Sequence, residues 1–341
     1  MLIIFVSMFF GNAFNIHKTQ SLPASLTPNL PLAPKDPVLQ KGDTLIETSK
    51  LTYEEKIYII HPDGMDSLYL EVGTGDGEIE MLSGGFGING DSLIYVNARG
   101  FVHVIDLKTG KIVRKTHLSL KKNIINIFSI CVKPPEELML LNLSLKRVVG
   151  LNLLGDCISI YNFNEGICLR SFYSPNPELF DISLTGMPVG YMGLLNDTIY
   201  LFQNFEPFLF KFTMDGRVIF KKEVKLSSFV KPPSLPQFSC KRIKESTEKL
   251  RKWLSEWTDI LNVWFVCDRF IVVYMRNLGE RGSFVSVLSM DGEEVIDKID
   301  IPSSAELRLV DQDGNFYFIS AQNNKESILY VATLKDSLLK K

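Results

Sequence analysis

The 341-residue chain is 45% hydrophobic and 22% charged, with a formal net charge of −2. That length and apolar content can fill an ample core, which excludes a disordered chain, and near-neutrality excludes the broad basic surface that nucleic acid asks for. Four histidines and five cysteines stand at no metal-ligand or Cys-x-x-Cys spacing, so no metal or cofactor is expected from them.

In chain order, Met1–Phe10 is an apolar run, followed by Gly11, Asn12 and Ala13. About ten residues are too few to cross a hydrocarbon layer as a helix, so no transmembrane span is expected. The run suits the hydrophobic part of a secretory signal, with Ala13 as the cleavage position. No Lys or Arg precedes it, which leaves a start further upstream or a buried first strand as alternatives. Residues 1–18 are read as a candidate export segment, and the protein as periplasmic or secreted. No cysteine follows closely enough to carry a lipid. Residues 19–42 contain Pro23, Pro28, Pro31, Pro34 and Pro37, a density that reads as an extended linker or a strap.

Residues 43–341 read as one repeating β domain. The clearest unit, Asp91 to His117, predicts three short strands, Ser92–Asn97, Phe101–Leu107 and Lys111–His117, built from β-branched and aromatic residues. Its Thr109-Gly110 turn recurs as Asp63-Gly64, Glu165-Gly166, Asp215-Gly216 and Asp291-Gly292, with a glycine-free sixth at Lys335-Asp336. Successive separations, read from the second residue of each pair, are 46, 56, 50, 76 and 44. Removing a helix-like insertion of about 28 residues brings the long interval to about 48, within the roughly 40–50 residues of a four-stranded blade. The strand Asp91-Ser-Leu-Ile-Tyr-Val also recurs, as Asp197-Thr-Ile-Tyr-Leu-Phe, Asp268-Arg-Phe-Ile-Val-Val and Asp313-Gly-Asn-Phe-Tyr-Phe. These repeats predict an all-β, six-bladed β-propeller with one helical insertion; five or seven blades also fit. An N-terminal strand at Thr44–Thr48 is expected to complete the last sheet.

On these turns and strands the chain resembles the six-bladed propeller superfamily that includes NHL-like and related repeat proteins, over about residues 45–335. The resemblance implies a ring with a ligand or partner at its loop face or channel mouth. Asp106-Leu-Lys-Thr-Gly-Lys111 also resembles a quinoprotein-type turn, but Val113-Arg114-Lys115 stands where those repeats carry tryptophan, so no quinone is inferred.

The insertion, at about 229–261, opens with Pro232, Pro233 and Pro236 and then reads as helix from Cys240 to Leu261. Ile243, Leu250, Trp253, Leu254, Trp257 and Leu261 share one stripe. That stripe either packs on the propeller or docks a partner through Trp253 and Trp257. Gly85-Phe-Gly-Ile-Asn-Gly90 matches a dinucleotide fingerprint in letters only, because a strand follows it, and its glycines are read as a turn between blades. Asp311-Gln-Asp-Gly-Asn315 is read as a turn between strands rather than a calcium loop. His103 either faces the channel or is a core histidine. Cys157 and Cys168, on adjacent strands, are out of register for a disulfide. Asn142-Leu-Ser144 and Asn196-Asp-Thr198 are sequons.

No serine elbow or acid–base pair is legible, so catalytic residues stay unassigned and enzyme activity stays open. The reading favoured by these failures is a monomeric, non-enzymatic module binding a protein or small molecule. The alternative is a propeller hydrolase or lyase acting on a glycan, lactone or peptide through carboxylates converging at the channel.

Overall fold

The computed structural model describes residues 13–23, 39–41, 44–50, 55–61, 64–70, 84–97, 99–120, 124–148, 151–176, 189–233, 248–249, 252–253, 255–266, 269–277, 282–321 and 326–335. Its strands in chain order are β1 (Phe14–Pro23), β2 (Leu39–Lys41), β3 (Thr44–Lys50), β4 (Glu55–His61), β5 (Gly64–Leu70), β6 (Gly84–Asn89), β7 (Ser92–Asn97), β8 (Phe101–Asp106) and β9 (Ile112–His117). They continue as β10 (Ile124–Lys133), β11 (Glu137–Val148), β12 (Leu151–Leu154), β13 (Ile158–Asn162), β14 (Ile167–Phe172), β15 (Gly190–Leu195), β16 (Thr198–Gln203), β17 (Phe208–Thr213) and β18 (Val218–Glu223). The last are β19 (Thr258–Val266), β20 (Phe270–Asn277), β21 (Gly282–Leu288), β22 (Glu294–Ile301), β23 (Ala305–Val310), β24 (Asn315–Ala321) and β25 (Glu326–Leu334).

Among the described residues these strands make six sheets. Their orders are β2-β3-β4-β5, β6-β7-β8-β9, β10-β11-β13-β14 with β12 added to β11, β15-β16-β17-β18, β19-β20-β21-β22 and β23-β24-β25-β1. Each is a run of four strands joined in sequence, apart from the last, and the fold is an all-β propeller. The chain divides into two compact units: residues 1–33, 200–211 and 220–341, and residues 34–199 and 212–219. Five sheets lie wholly within one unit, and only β15–β18 is shared between the two lists. Five blades therefore stand complete inside a unit, where the turn spacing predicts six.

Side-chain burial explains why the sequence repeats where it does. The second strand of a sheet is covered on both faces, so Leu93–Val96 of β7, Ile199–Phe202 of β16 and Phe270–Met275 of β20 are continuous buried runs. The fourth strand has one open edge, and β9 alternates half-buried and exposed residues along its whole length.

The expected turns join third strands to fourth strands. Gly110, Gly166, Gly216 and Gly292 all hold φ between 71° and 86° there, a region that residues with a Cβ rarely adopt. The Asp106 carboxylate accepts hydrogen bonds from the Thr109 amide at 2.8 Å and the Thr109 hydroxyl at 2.7 Å, which holds it below the usual carboxylate range. In the sheet β23-β24-β25-β1 the third strand is β25 and the fourth comes from the other end of the chain. No hairpin is needed after Leu334, which accounts for the missing glycine at Lys335-Asp336.

The strand that completes this sheet is β1, not the expected Thr44–Thr48, which lies in β3 between β2 and β4. Phe14 pairs with Leu334 and Pro23 with Glu326. Residues 14–18, expected in an export segment, and 19–23, expected in a linker, are therefore one antiparallel strand. Leu39–Lys41 of that linker is strand β2. Apolar residues upstream and prolines downstream hide the pairing potential of β1, which is decided by the open edge of β25. Residues 1–12 and 24–38 lie outside the described residues.

The expected helical insertion is corrected at its C-terminal end. Leu261 lies within β19, whereas Glu248, Lys249, Lys252, Trp253 and Ser255 have helical backbone. A three-to-four-residue apolar spacing cannot show where a helical stripe ends and a bulged strand begins. The register of β19 shifts between Ile260 and Asn262.

Candidate functional site: a buried ion-pair cluster

The strongest concentration of buried charge lies in the first unit, on β19 and β23, the neighbouring first strands of two successive sheets. Asp259 of β19 is directly opposite Arg276 of β20, which is opposite Ser283 of β21. The Arg276 Nη2 donates to Asp259 Oδ2 at 2.9 Å. Glu306 and Arg308 stand two apart on β23 and so share a face, with Arg308 Nη1 donating to Glu306 Oε1 at 3.1 Å. Asp259 and Glu306 are both buried.

Tyr274 links the two pairs. Its hydroxyl donates to Ser283 Oγ at 3.2 Å. Burial pushes that hydroxyl up to about 12, and the negative charge of Glu306 adds to the effect while Ser283 and Arg276 oppose it. Burial likewise raises the Asp259 carboxyl, with the Arg276 guanidinium opposing. Two buried charge pairs contribute little net stability, because desolvation offsets their attraction.

The elevated Asp259 carboxyl makes stability depend on pH. The folded chain holds a proton that the unfolded chain, at its ordinary value of 3.8, has already released. Asp259 therefore favours folding at low pH, and this contribution is lost as pH rises from about 3.8 through the folded value. Asp259→Asn removes the effect. Urea unfolding over a pH series should show the variant gaining on the wild type as pH rises through that interval. A difference independent of pH would contradict the assignment.

Trp253 and Trp257, the residues expected to serve docking, are placed just before β19, at 3% and 1% exposure. Their rings lie 5.1 Å apart, Trp257 meets Phe205 edge-on at 5.9 Å, and Trp253 Nε1 donates to the Pro233 carbonyl at 2.9 Å. The two indoles thus fill the core of their own unit and brace the chain as it enters β19. Lys252, Ser255 and Glu256 are the exposed positions beside them.

His103 is a core residue on a third strand, stacked on Tyr95 at 5.9 Å, and not on the first strand of its sheet. Gly85 and Gly87 lie within strand β6, not in a turn. A Cβ at Gly85 would meet Ile130 at 2.8 Å and one at Gly87 would meet Val132 at 3.0 Å, so these glycines let β6 and β10 approach closely. The Asp311 turn joins β23 to β24. Asp311 accepts from the amides of Asp313 and Asn315, from Asn315 Nδ2 at 2.8 Å and from the Tyr317 hydroxyl at 2.9 Å, leaving its carboxylate committed to donors of the chain. No group of three or more metal-ligating side chains occurs among the described residues. Cys131, Cys157 and Cys168 are free thiols. Asn142 is buried and donates to Ser159, whereas Asn196 is exposed in the β15–β16 turn.

Asp259, Arg276, Glu306 and Arg308 carry no motif that singles them out in the sequence. A signal exists: each is a charge inside an otherwise apolar strand, as in Phe270-Ile-Val-Val-Tyr-Met-Arg276 and Ala305-Glu-Leu-Arg-Leu309.

The fold and cluster define a β-propeller with a charge-balanced interior site. No family profile matches the chain, and no curated protein matches its sequence. Among solved structures it is similar to a protein of Bacteroides fragilis NCTC 9343 described as exported, with 9% identity, a TM-score of 0.51, and 93% of this chain and 95% of that one covered. It also matches the WD40 β-propeller domain of Doa1 at 11% identity and TM-score 0.44, covering 95% and 98% of the two chains. A third match is the β-propeller domain of Myceliophteria thermophila Cps50 (Swd1), at 10% identity and TM-score 0.45, covering 93% and 99%. Among the described residues no helix is long and apolar enough to cross a membrane.

Proposed function

We propose that the chain is a non-enzymatic binding module: an NHL-like propeller that is exported and engages a protein or small molecule at the end of its first unit where β19 and β23 begin. The observation carrying this reading is the pairing of each carboxylate in the cluster with an arginine. A carboxylate already accepting from a guanidinium is a poor general base, and the Ser283 hydroxyl is held by a tyrosine rather than by a histidine. The raised carboxyl of Asp259 favours the second reading, a hydrolase or lyase acting on a glycan, lactone or peptide.

The two are separated by incubating the intact chain with panels of oligosaccharides, lactones and peptides, reading thermal shift and product mass together. Stabilisation without product is the expected result. Turnover that disappears in Asp259→Asn or Glu306→Gln would overturn the binding reading and establish the second. Export is tested by N-terminal sequencing of the protein recovered outside the cytoplasm; recovery solely in the cytoplasm with Met1 intact would refute it.

A further inference from the structure

We propose that the open edge of β9 receives an extended acidic segment of a partner protein, which adds to the sheet β6-β7-β8-β9 as a fifth strand. β9 pairs with β8 alone, so from Ile112 to Thr116 one row of its backbone groups has no strand opposite, and the Gly166 turn closes the edge from His117 onward. Its alternation exposes Val113, Lys115 and His117, and Lys111 and Lys108 of the preceding turn are exposed as well. Val113 is 61% exposed, and at the far end the Phe101 and His117 rings meet edge-on at 4.9 Å. The outward strip is therefore a cation, an aliphatic side chain and a second cation at alternate positions, ending in an aromatic pair.

Charge selects the occupant. Lys108 and Lys111 form no ion pair among the described residues. Other fourth strands commit their cations: Arg170 of β14 pairs with Glu137, Lys222 of β18 pairs with Glu293 while the exposed Lys221 lies over the Phe208 and Phe210 rings, and β22 exposes Asp297 and Asp300. In a chain of net charge −2, the β9 edge is a local basic strip with apolar content. A segment alternating Glu or Asp with Val or Ile supplies the opposite charge, aliphatic contact and backbone hydrogen bonds together. A polyanion without strand-forming backbone supplies only the charge.

The test uses the full chain and a fluorescent octapeptide of alternating Glu and Val, followed by anisotropy. Binding should weaken about tenfold or more in the double variant Lys111→Glu, Lys115→Glu, whose circular dichroism should match the wild type. The same peptide N-methylated at alternate residues should fail to bind. Absence of binding at millimolar peptide would overturn the proposal, as would equal binding of the N-methylated peptide or insensitivity to the charge reversals. Tighter binding of heparin or oligothymidylate would replace it with a general polyanion surface. A concentration-dependent dimer in sedimentation velocity, abolished by the double variant, would make the occupant a second copy of this chain.

Discussion

Replacing Phe14 with alanine should lower the unfolding free energy by about 3–5 kcal/mol, the range for truncating a buried phenylalanine. Phe14 is 2% exposed and wedges edge-on between Phe316 at 5.1 Å and Phe318 at 5.2 Å. It is also the first residue of the strand that covers β25, and the Lys335 amide reaches back to the Ala13 carbonyl at 3.0 Å. Losing the ring weakens both the packing and the anchoring of that strand. Deleting residues 13–23 should go further, because the edge of β25 is then open along nine paired positions. Urea denaturation followed by tryptophan fluorescence reads the point variant. A Val113→Ala control, at a residue 61% exposed, should stay within about 0.5 kcal/mol. If Phe14→Ala behaved like Val113→Ala, β1 would not be part of the cooperative unit.

Gly166→Ala should be nearly as damaging, for a different reason. At φ 72° an alanine is strained by about 1–2 kcal/mol. Its Cβ would also lie 2.2 Å from the carbonyl oxygen of His117 on the preceding sheet, and backbone cannot rotate away as a side chain can. Overpacking of that kind adds about 1–3 kcal/mol, so a total loss of about 2–5 kcal/mol is expected. Gly90→Ala isolates the first contribution: its φ is 57°, yet nothing lies within 4 Å of the new Cβ. It should lose only the conformational part. Equal midpoints for the two variants would show that the turn of one sheet does not press on its predecessor. The contact is reinforced by the Ser119 amide, which donates to the Gly166 carbonyl at 2.7 Å.

The first prediction concerns a strand joined to its sheet from the far end of the chain and the second a place where two sheets meet, and such long-range contacts divide what was readable from what was not. The strands Ser92–Asn97, Phe101–Asp106 and Ile112–His117 match their sequence-based boundaries to within one residue. Their residues have β propensity, and their turn requires a glycine at positive φ. The same signal located the third-to-fourth turns at Gly166, Gly216 and Gly292. By contrast, β1 has an unremarkable local sequence and owes its state to a partner more than three hundred residues away. The glycines at 85 and 87 suggested a turn because glycine density usually marks one; here they admit the Ile130 and Val132 side chains. Trp253 and Trp257 left packing and docking both open, since spacing reports that residues share a face but not what covers it. The ion-pair cluster was out of reach for a related reason. Asp259 and Arg276 become partners only through the β19–β20 register, and Glu306 approaches Tyr274 only because two sheets are neighbours.

The amino-acid sequence alone determined the strand identity of most segments, the glycine turns and the repeating four-strand grammar, because these follow from backbone sterics and side-chain alternation within about ten residues. Tertiary structure alone decided which strand covers β25, where the tryptophans point and which buried charges meet. Those outcomes depend on burial and pairing between distant segments, whose free energy no local stretch carries.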